Sequence, residues 1–245
     1  MNTEKTLAAK RILVVGATGA VGGAIARRCA EAGANLVLTG RNTTRLQQIT
    51  AETGGVSQVL DLSSADSIEG WSVDAEALDA VVYAAGIAPL APIKYLQAQQ
   101  LVDCLQVNSV APLLLVRELH KQKKLKKSAS IVFLSSLAAS SGAAGYASYA
   151  ASKGALEAAA RCLAIEFAPQ QIRVNCIAPG MLDSEMAHEA GERISQEALE
   201  SHTKDYPLGI GTPQDVAQAA AYLISDASRW MTGVVLPLDG GFLAK

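Results

Sequence analysis

Two side chains with complementary proton chemistry stand four residues apart in Tyr149-Ala150-Ala151-Ser152-Lys153. At the start of an Ala-rich helical pattern, that spacing brings both to one helix face. A neighbouring ammonium favours the phenolate, so Lys153 is expected to lower the Tyr149 pKa from its reference of about 10. Tyr149 can then give a proton to a carbonyl oxygen during reduction, or take one from an alcohol during oxidation. Upstream, the apolar run Ile131–Leu134 ends in Ser135 and Ser136. A serine hydroxyl at a strand's carboxyl end can hydrogen-bond a substrate oxygen as charge develops on it. A Tyr-x-x-x-Lys pair alone is a frequent feature of helix surfaces, so its meaning depends on what the rest of the chain sets around it.

A first strand-like run, Ile12–Val15, leads straight into Gly16-Ala17-Thr18-Gly19-Ala20-Val21-Gly22-Gly23 and then into a helical pattern. Glycines there let the backbone turn tightly and approach a pyrophosphate, whose charge meets free N–H groups at the helix N-terminus. Its position after the first strand, in a chain of alternating strands and helices, makes the string a dinucleotide-binding signal. Sites that prefer NAD carry an acid about 20 residues further on, for the ribose 2′-hydroxyl. Here the second run ends instead in Gly40-Arg41-Asn42. Arg41 can pair with a 2′-phosphate and stack on adenine, which favours NADP over NAD.

The elements that would position these groups are seven apolar runs: Ile12–Val15, Asn35–Thr39, Val56–Leu60, Ala80–Ala84, Ser130–Leu134, Ile172–Ile177 and Val234–Leu238. They alternate with longer Ala/Leu/Glu-rich stretches. Continuous hydrophobicity fits strands buried on both faces, hence an α/β fold with a doubly wound parallel sheet covered by helices. Thr212-Pro213-Gln214-Asp215 places a capping hydroxyl, a proline at the first helical position and an acid in the first turn of a helix over Val216–Ser225. No repeat or linker divides the chain, so a single NAD(P)-binding domain is expected over residues 1–245. The least regular stretch, 182–211, is the expected substrate loop. Met181, Leu182, Met186 and His188 there, with Ala143, Ala144 and Tyr146 ahead of Tyr149, suggest a neutral or partly apolar carbonyl compound.

Half the 245 residues are hydrophobic and the net charge is −2, which suits a globular protein and offers nothing global for nucleic acid. Apolar runs break well before the ~20 residues a membrane helix needs. The segment MNTEKTLAAKR lacks the apolar core and small-residue cleavage site of a signal peptide, so a cytoplasmic location is expected. Cys29, Cys104, Cys162 and Cys176 lie in apolar contexts without metal-type spacing and are expected to be buried, reduced thiols. The charge run HKQKKLKK, His120–Lys127, is expected to close a helix on a solvated face, its cations complementing the negative end of the dipole.

With these motifs in place, the chain resembles the short-chain dehydrogenase/reductase family over almost its full length, from the Gly-rich turn to Asp239-Gly240-Gly241. Ser136 precedes Tyr149 by the family's spacing of 13, which selects it over Ser135. The family's active-site asparagine matches Asn108 in Leu105-Gln106-Val107-Asn108. The resemblance implies a seven-stranded Rossmann fold and four catalytic residues: Tyr149 as acid/base; Lys153 to lower its pKa and hold the nicotinamide ribose; Ser136 to polarise the substrate oxygen; and Asn108 to hold a water linking Lys153 to solvent. It implies cofactor contacts from Gly16, Thr18, Gly19, Ala20, Val21 and Gly22 and from Arg41, with Asp61 and Leu62 at the adenine. Ala85 and Gly86 follow the fourth strand, Pro179 and Gly180 lie on the nicotinamide side with Leu182, and Ser184 stands at the family's Thr position.

Two departures stand out. The family's middle glycine is Ala20, and Tyr83-Ala84-Ala85-Gly86 replaces the usual Asn-Asn-Ala-Gly, which removes side-chain hydrogen bonds at Ala84. The expected reaction is NAD(P)-dependent interconversion of a carbonyl and a secondary alcohol. The alternative is a non-catalytic NAD(P)-binding regulatory sensor, which the atypical glycine string permits but which has no need of Tyr149 and Lys153. A sugar-nucleotide epimerase would need a larger C-terminal substrate domain than follows Pro179-Gly180. The resemblance further implies a homo-oligomer, often a homotetramer. It includes reductases of 3-oxoacyl chains on carrier proteins, although Lys121–Lys127 is the one basic cluster that could meet an acidic carrier.

Overall fold

The computed structural model describes residues 6–74, 76–184 and 202–244. Seven strands form one parallel sheet: β1 (Arg11–Val15), β2 (Asn35–Gly40), β3 (Val56–Val59), β4 (Leu78–Tyr83), β5 (Leu125–Leu134), β6 (Arg173–Pro179) and β7 (Val235–Leu238), in the order β3-β2-β1-β4-β5-β6-β7. This is the doubly wound Rossmann arrangement. Strand order reverses between β1 and β4, and a parallel sheet opens a ligand crevice beyond the carboxyl ends of the strands at such a point.

Helices cover both faces: α1 (Ala20–Glu31), α2 (Thr43–Thr53), α3 (Ala98–Leu105), α4 (Ala111–Lys121), α5 (Ala147–Glu166) and α6 (Pro213–Ile224). Strand side chains alternate between two cores. Leu13, Val15, Val81 and Phe133 pack with Leu115 and Leu119 of α4 and Leu156 of α5. Ile12, Val14, Val82 and Leu134 pack with Ile25 of α1 and Val216 and Ala220 of α6. Burial on both faces is why these strands read as continuous apolar runs. Among the described residues no helix is long and apolar enough to cross a membrane.

Several local expectations need correction. β3 is an edge strand, paired on one side only with β2, and Val56 and Val59 are each 59% exposed. β5 begins at Leu125, not Ser130, with Lys126, Lys127 and Ser128 exposed ahead of the buried part. The run HKQKKLKK therefore does not close a helix as a whole. Only His120 and Lys121 lie in the last turn of α4, Lys123 has a positive φ of 57°, and the remaining lysines lead into β5. Cys29, Cys104 and Cys176 are buried free thiols, but Cys162 lies on the outer face of α5 and is exposed. Of the expected substrate loop, residues 185–201, with Met186 and His188, lie outside the described residues. Its flanks meet in a parallel bridge between Leu182 and Gly211.

The start of α6 follows the motif. Asp215 Oδ2 accepts hydrogen bonds from Thr212 N and Thr212 Oγ1, both at 2.7 Å, while Thr212 Oγ1 accepts from Asp215 N at 3.4 Å. Replacing Thr212 by Ala removes the reciprocal cap and should lower unfolding free energy by about 1 kcal/mol in urea titrations, with an unchanged m-value. An unaltered midpoint would show that α6 is held by its packing on α1 alone.

Candidate active site

The first two turns of α5 project Tyr149 and Lys153 toward the carboxyl end of β5. Lys153 is only 3% exposed, and its Nζ donates to the Leu134 carbonyl at 2.6 Å. The same Nζ sits 5.7 Å from the centroid of the Tyr149 ring. Tyr149 opens to the cleft on one side, and its phenol is hydrogen-bonded to the Ser136 side chain. Ser136 is in extended backbone just past β5, where its Oγ also accepts from Ala138 N at 3.2 Å. The adjacent Ser135 is turned the other way: its Oγ donates to Glu157 Oε1 at 2.6 Å. Of the two serines at this strand end, the structure brings only Ser136 to the phenol.

Electrostatics at this pair differ from the simple expectation. Burial pushes the Tyr149 phenol above its ordinary value, with the Ser136 hydrogen bond opposing and Cys104 and Tyr146 adding to the rise. Burial likewise pulls the Lys153 ammonium down to about 8, against Cys104 and Cys176. The expected lowering of the phenol by Lys153 is thus reversed here. The physical reason is that desolvation acts on both groups and disfavours both charged forms.

Asn108 completes the back wall. It lies in a widened helical turn, Gln106–Val110, of the π type between α3 and α4, a distortion that recurs at functional sites. Its side chain is wholly buried and clasps the loop after β4: Oδ1 accepts from Ile87 N at 2.9 Å and Nδ2 donates to Ile87 O at 2.8 Å. Nδ2 also donates to Ser152 Oγ at 2.9 Å, and that hydroxyl donates to the Tyr149 carbonyl at 2.7 Å. Ser152 thereby ties Asn108 to the helix that carries Tyr149 and Lys153. Sequence reasoning passed over it, although its place between the two was a signal. Gly86 is pressed against the same groups, since a Cβ on it would lie 3.2 Å from Asn108 Oδ1 and 3.3 Å from Lys153 Nζ.

The Gly-rich turn faces the neighbouring stretch of the crevice. Gly16 has a φ of +82°, and a Cβ there would lie 2.7 Å from Ala85 N, so the turn and the loop after β4 touch backbone to backbone. Gly19 precedes α1 without any side-chain cap, and no acid stands in the first turn of that helix. Thr18 and Val21 are half-buried, Gly19 and Ala20 exposed, and Gly22 buried against the turn. An uncapped, acid-free helix start beside a bare backbone cradle fits a pyrophosphate. Ala20, the departure from the family pattern, is the exposed first residue of α1 and lines the pocket at the turn with Ala17, Thr18 and Gly19.

The remaining predicted contacts line the same sheet edge. Arg41 is exposed just after β2 and lies close enough to Asp61 to help hold its carboxyl below the usual range, a shift led by hydrogen bonds from Ser63. Leu62 is buried beside it. Pro179 ends β6, and Gly180 is packed against Tyr206 and Asp239, so a Cβ would lie 2.7 Å from the Tyr206 ring. The Met181 N–H donates to Tyr206 Oη at 3.0 Å, and Leu182 and Ser184 follow. Ala84 lacks the asparagine amide, yet its N–H donates to Val15 O at 2.9 Å and carries the β1–β4 ladder one residue further. Among the described residues no cluster of His, Cys, Asp or Glu could hold a metal ion.

Comparison with known proteins agrees with this geometry. The family described as enoyl-(acyl carrier protein) reductase matches residues 16–243. A 3-oxoacyl-[acyl-carrier-protein] reductase of Rickettsia bellii is 30% identical over 240 residues, covering 97% of this chain and 98% of that protein. Nodulation protein G of Rhizobium meliloti is 31% identical over 242 residues, covering 96% and 97%. Among solved structures, BdcA in complex with NADPH superposes with a TM-score of 0.87 at 26% identity, over 97% of this chain and 96% of that one. A dehydrogenase/reductase from Sinorhizobium meliloti 1021 gives 0.85 at 30% identity, over 98% and 97%. With a shared fold and matches spanning nearly the whole length, the chain belongs to the short-chain dehydrogenase/reductase family of NAD(P)-dependent oxidoreductases.

Proposed function

We propose that this chain reduces a neutral, partly apolar carbonyl compound to a secondary alcohol, with NADPH as the preferred cofactor and Tyr149 as the proton donor. The observation that carries this reading is the convergence of the Ser136 hydroxyl and the Tyr149 phenol beside the buried Lys153 ammonium at one strand end. A bound reduced nicotinamide supplies the hydride. The protein's own groups do the rest: Ser136 orients the substrate oxygen, Tyr149 delivers a proton to it, and Lys153 holds the ribose hydroxyls. Asn108 keeps the Lys153 side of the site connected to solvent through a water. Residues 1–245 act as one cofactor-binding unit, with Gly16, Thr18, Gly19, Ala20, Val21 and Gly22 about the pyrophosphate, Asp61 and Leu62 at the adenine, and Ala85, Gly86, Pro179, Gly180, Leu182 and Ser184 along the nicotinamide side. The Tyr146 and Tyr149 rings, 6.0 Å apart, give the substrate cleft an aromatic wall.

NADPH preference rests on Arg41, which follows β2 where an acid for the 2′-hydroxyl would stand. The 3-oxoacyl group in the name of the Rickettsia bellii relative contains a ketone of the kind proposed here. An apolar groove of about 650 Å³ between α4 and α5, lined by Leu113, Val116, Cys162 and Leu163, supports assembly into a homo-oligomer, tetramer or dimer, through these helices, which light scattering would report as four or two times the 25.4 kDa chain mass. A cytoplasmic setting, where thiols stay reduced, suits the free cysteines.

Tyr149→Phe should abolish NADPH-dependent turnover across a panel of carbonyl compounds, by roughly 10²-fold or more, while NADPH affinity by fluorescence titration stays near that of the unmodified protein. Comparable rates in the two proteins would remove the assigned acid. Arg41→Asp should invert cofactor choice, weakening NADPH by loss of a charge-assisted contact worth about 1.5–3 kcal/mol and strengthening NADH through a carboxylate that accepts from the ribose 2′-hydroxyl. An unchanged ratio of kcat/KM for the two cofactors would mean that Arg41 never meets a phosphate.

A further inference from the structure

The carbonyl of Val107 lies inside the widened turn that carries Asn108. In an α-helix it would accept from the Ala111 N–H, but Ala111 donates instead to Gln106, five residues back. The i+5 residue of Val107 is Pro112, which has no N–H to give. Local sequence and the π-type turn thus deny Val107 both its i+4 and its i+5 donor. A buried carbonyl in that state is costly unless another group reaches it.

The group that reaches it is Tyr83. Its Oη donates to Val107 O at 2.7 Å, from a side chain with no exposure at the end of β4. Burial pushes the Tyr83 phenol far above its ordinary value, so it remains a donor at any working pH. Tyr83 is four residues ahead of Ile87, whose N–H and carbonyl hold the Asn108 side chain. β4 and its following loop therefore grip the turn twice, once through a tyrosine hydroxyl reaching out and once through an asparagine amide reaching back.

We propose that Tyr83 is a positioning residue for the reaction: its hydrogen bond to Val107 keeps the turn in the widened register that sets Asn108 between Ile87 and Ser152, and so keeps proton delivery to Lys153 open. The proposal rests on the reading of Ser136, Tyr149, Lys153 and Asn108 as the reacting site. Without the hydroxyl, the turn satisfies Val107 by closing to an ordinary α-turn, with Ala111 swinging back from Gln106. Asn108 then moves relative to Ile87 and Ser152.

Tyr83→Phe removes one oxygen and keeps the ring. With the best carbonyl substrate from the panel above, kcat should fall roughly tenfold to a hundredfold, the range expected for a misplaced group. The solvent deuterium isotope effect on kcat should rise, while KM and NADPH affinity stay nearly unchanged. Unaltered kcat, or a lower kcat with the same isotope effect, overturns the proposal. Should Tyr83→Phe fail to fold, the double variant Tyr83→Phe/Pro112→Ala decides: the N–H returned at 112 is the i+5 donor of the Val107 carbonyl, so it holds the widened register without the hydroxyl and should give a folded protein with kcat and isotope effect close to those of the unmodified chain. A double variant that stays unfolded, or that folds with a depressed kcat, overturns the proposal. Tyr149→Phe run in parallel separates the two readings, since an active Tyr149→Phe enzyme refutes the site itself. An inactive one beside a normal Tyr83→Phe refutes only the role of Tyr83.

Discussion

A lysine ammonium that is 3% exposed is the constraint around which this active-site region is arranged. Removing such a cation from water costs several kcal/mol unless hydrogen bonds replace its hydration, and the Leu134 carbonyl at 2.6 Å is one replacement. That bond requires the end of β5 and the first two turns of α5 to meet at hydrogen-bonding distance. Gly86 leaves the ammonium room, since a Cβ there would come within 3.3 Å of Nζ, a tight contact. The position of Gly86 is in turn set by Ile87, clasped by Asn108. Three segments far apart in sequence are therefore locked by the demand of one charge.

Much of the scaffold was legible before the structure. Strands buried on both faces must be apolar throughout, so the interior strands announced themselves, and their alternation with helical stretches implied the parallel sheet. Where that physics lapses, the reading slipped. The beginning of β5 carries Lys126, Lys127 and Ser128 in the open, so it looked like a charged helix end rather than a strand. Val56 and Val59 looked like core and are edge, because an apolar run does not reveal which strand has a neighbour on only one side. The cap of α6 was read without error in kind, since Thr212 and Asp215 need only each other.

The candidate site divides along the same line. Tyr149 and Lys153 share a helix, so four residues of spacing were enough to bring them to one face. The choice of Ser136 over Ser135 rested on family spacing, and the structure adds the reason the two differ: Glu157 of α5 engages Ser135. Residues whose partners are backbone atoms of distant segments left no readable pattern. Ser152 bonds the Tyr149 carbonyl and the Asn108 amide, and Tyr83 bonds the Val107 carbonyl. The departure at Tyr83-Ala84 looked like a loss of asparagine hydrogen bonds. In three dimensions Ala84 uses its backbone toward Val15, and Tyr83 makes a contact of its own.

The shifted acidities at Tyr149 and Lys153 bear on the direction of the proposed reaction. Desolvation raises the phenol and lowers the ammonium to about 8, so near neutral pH the phenol keeps its proton while the lysine remains mostly charged. A protonated phenol hydrogen-bonded to Ser136 is an acid ready for a carbonyl oxygen, which is the state reduction requires. Oxidation would need the phenolate, and the same burial opposes it until pH rises. A protein that only bound a dinucleotide could use the ammonium on the ribose hydroxyls but would have no use for a phenol and a serine hydroxyl converging beside it, and it would still bear the desolvation cost. That cost makes sense where the charge is held near a reacting oxygen, in surroundings where each fixed dipole acts more strongly than it would in water.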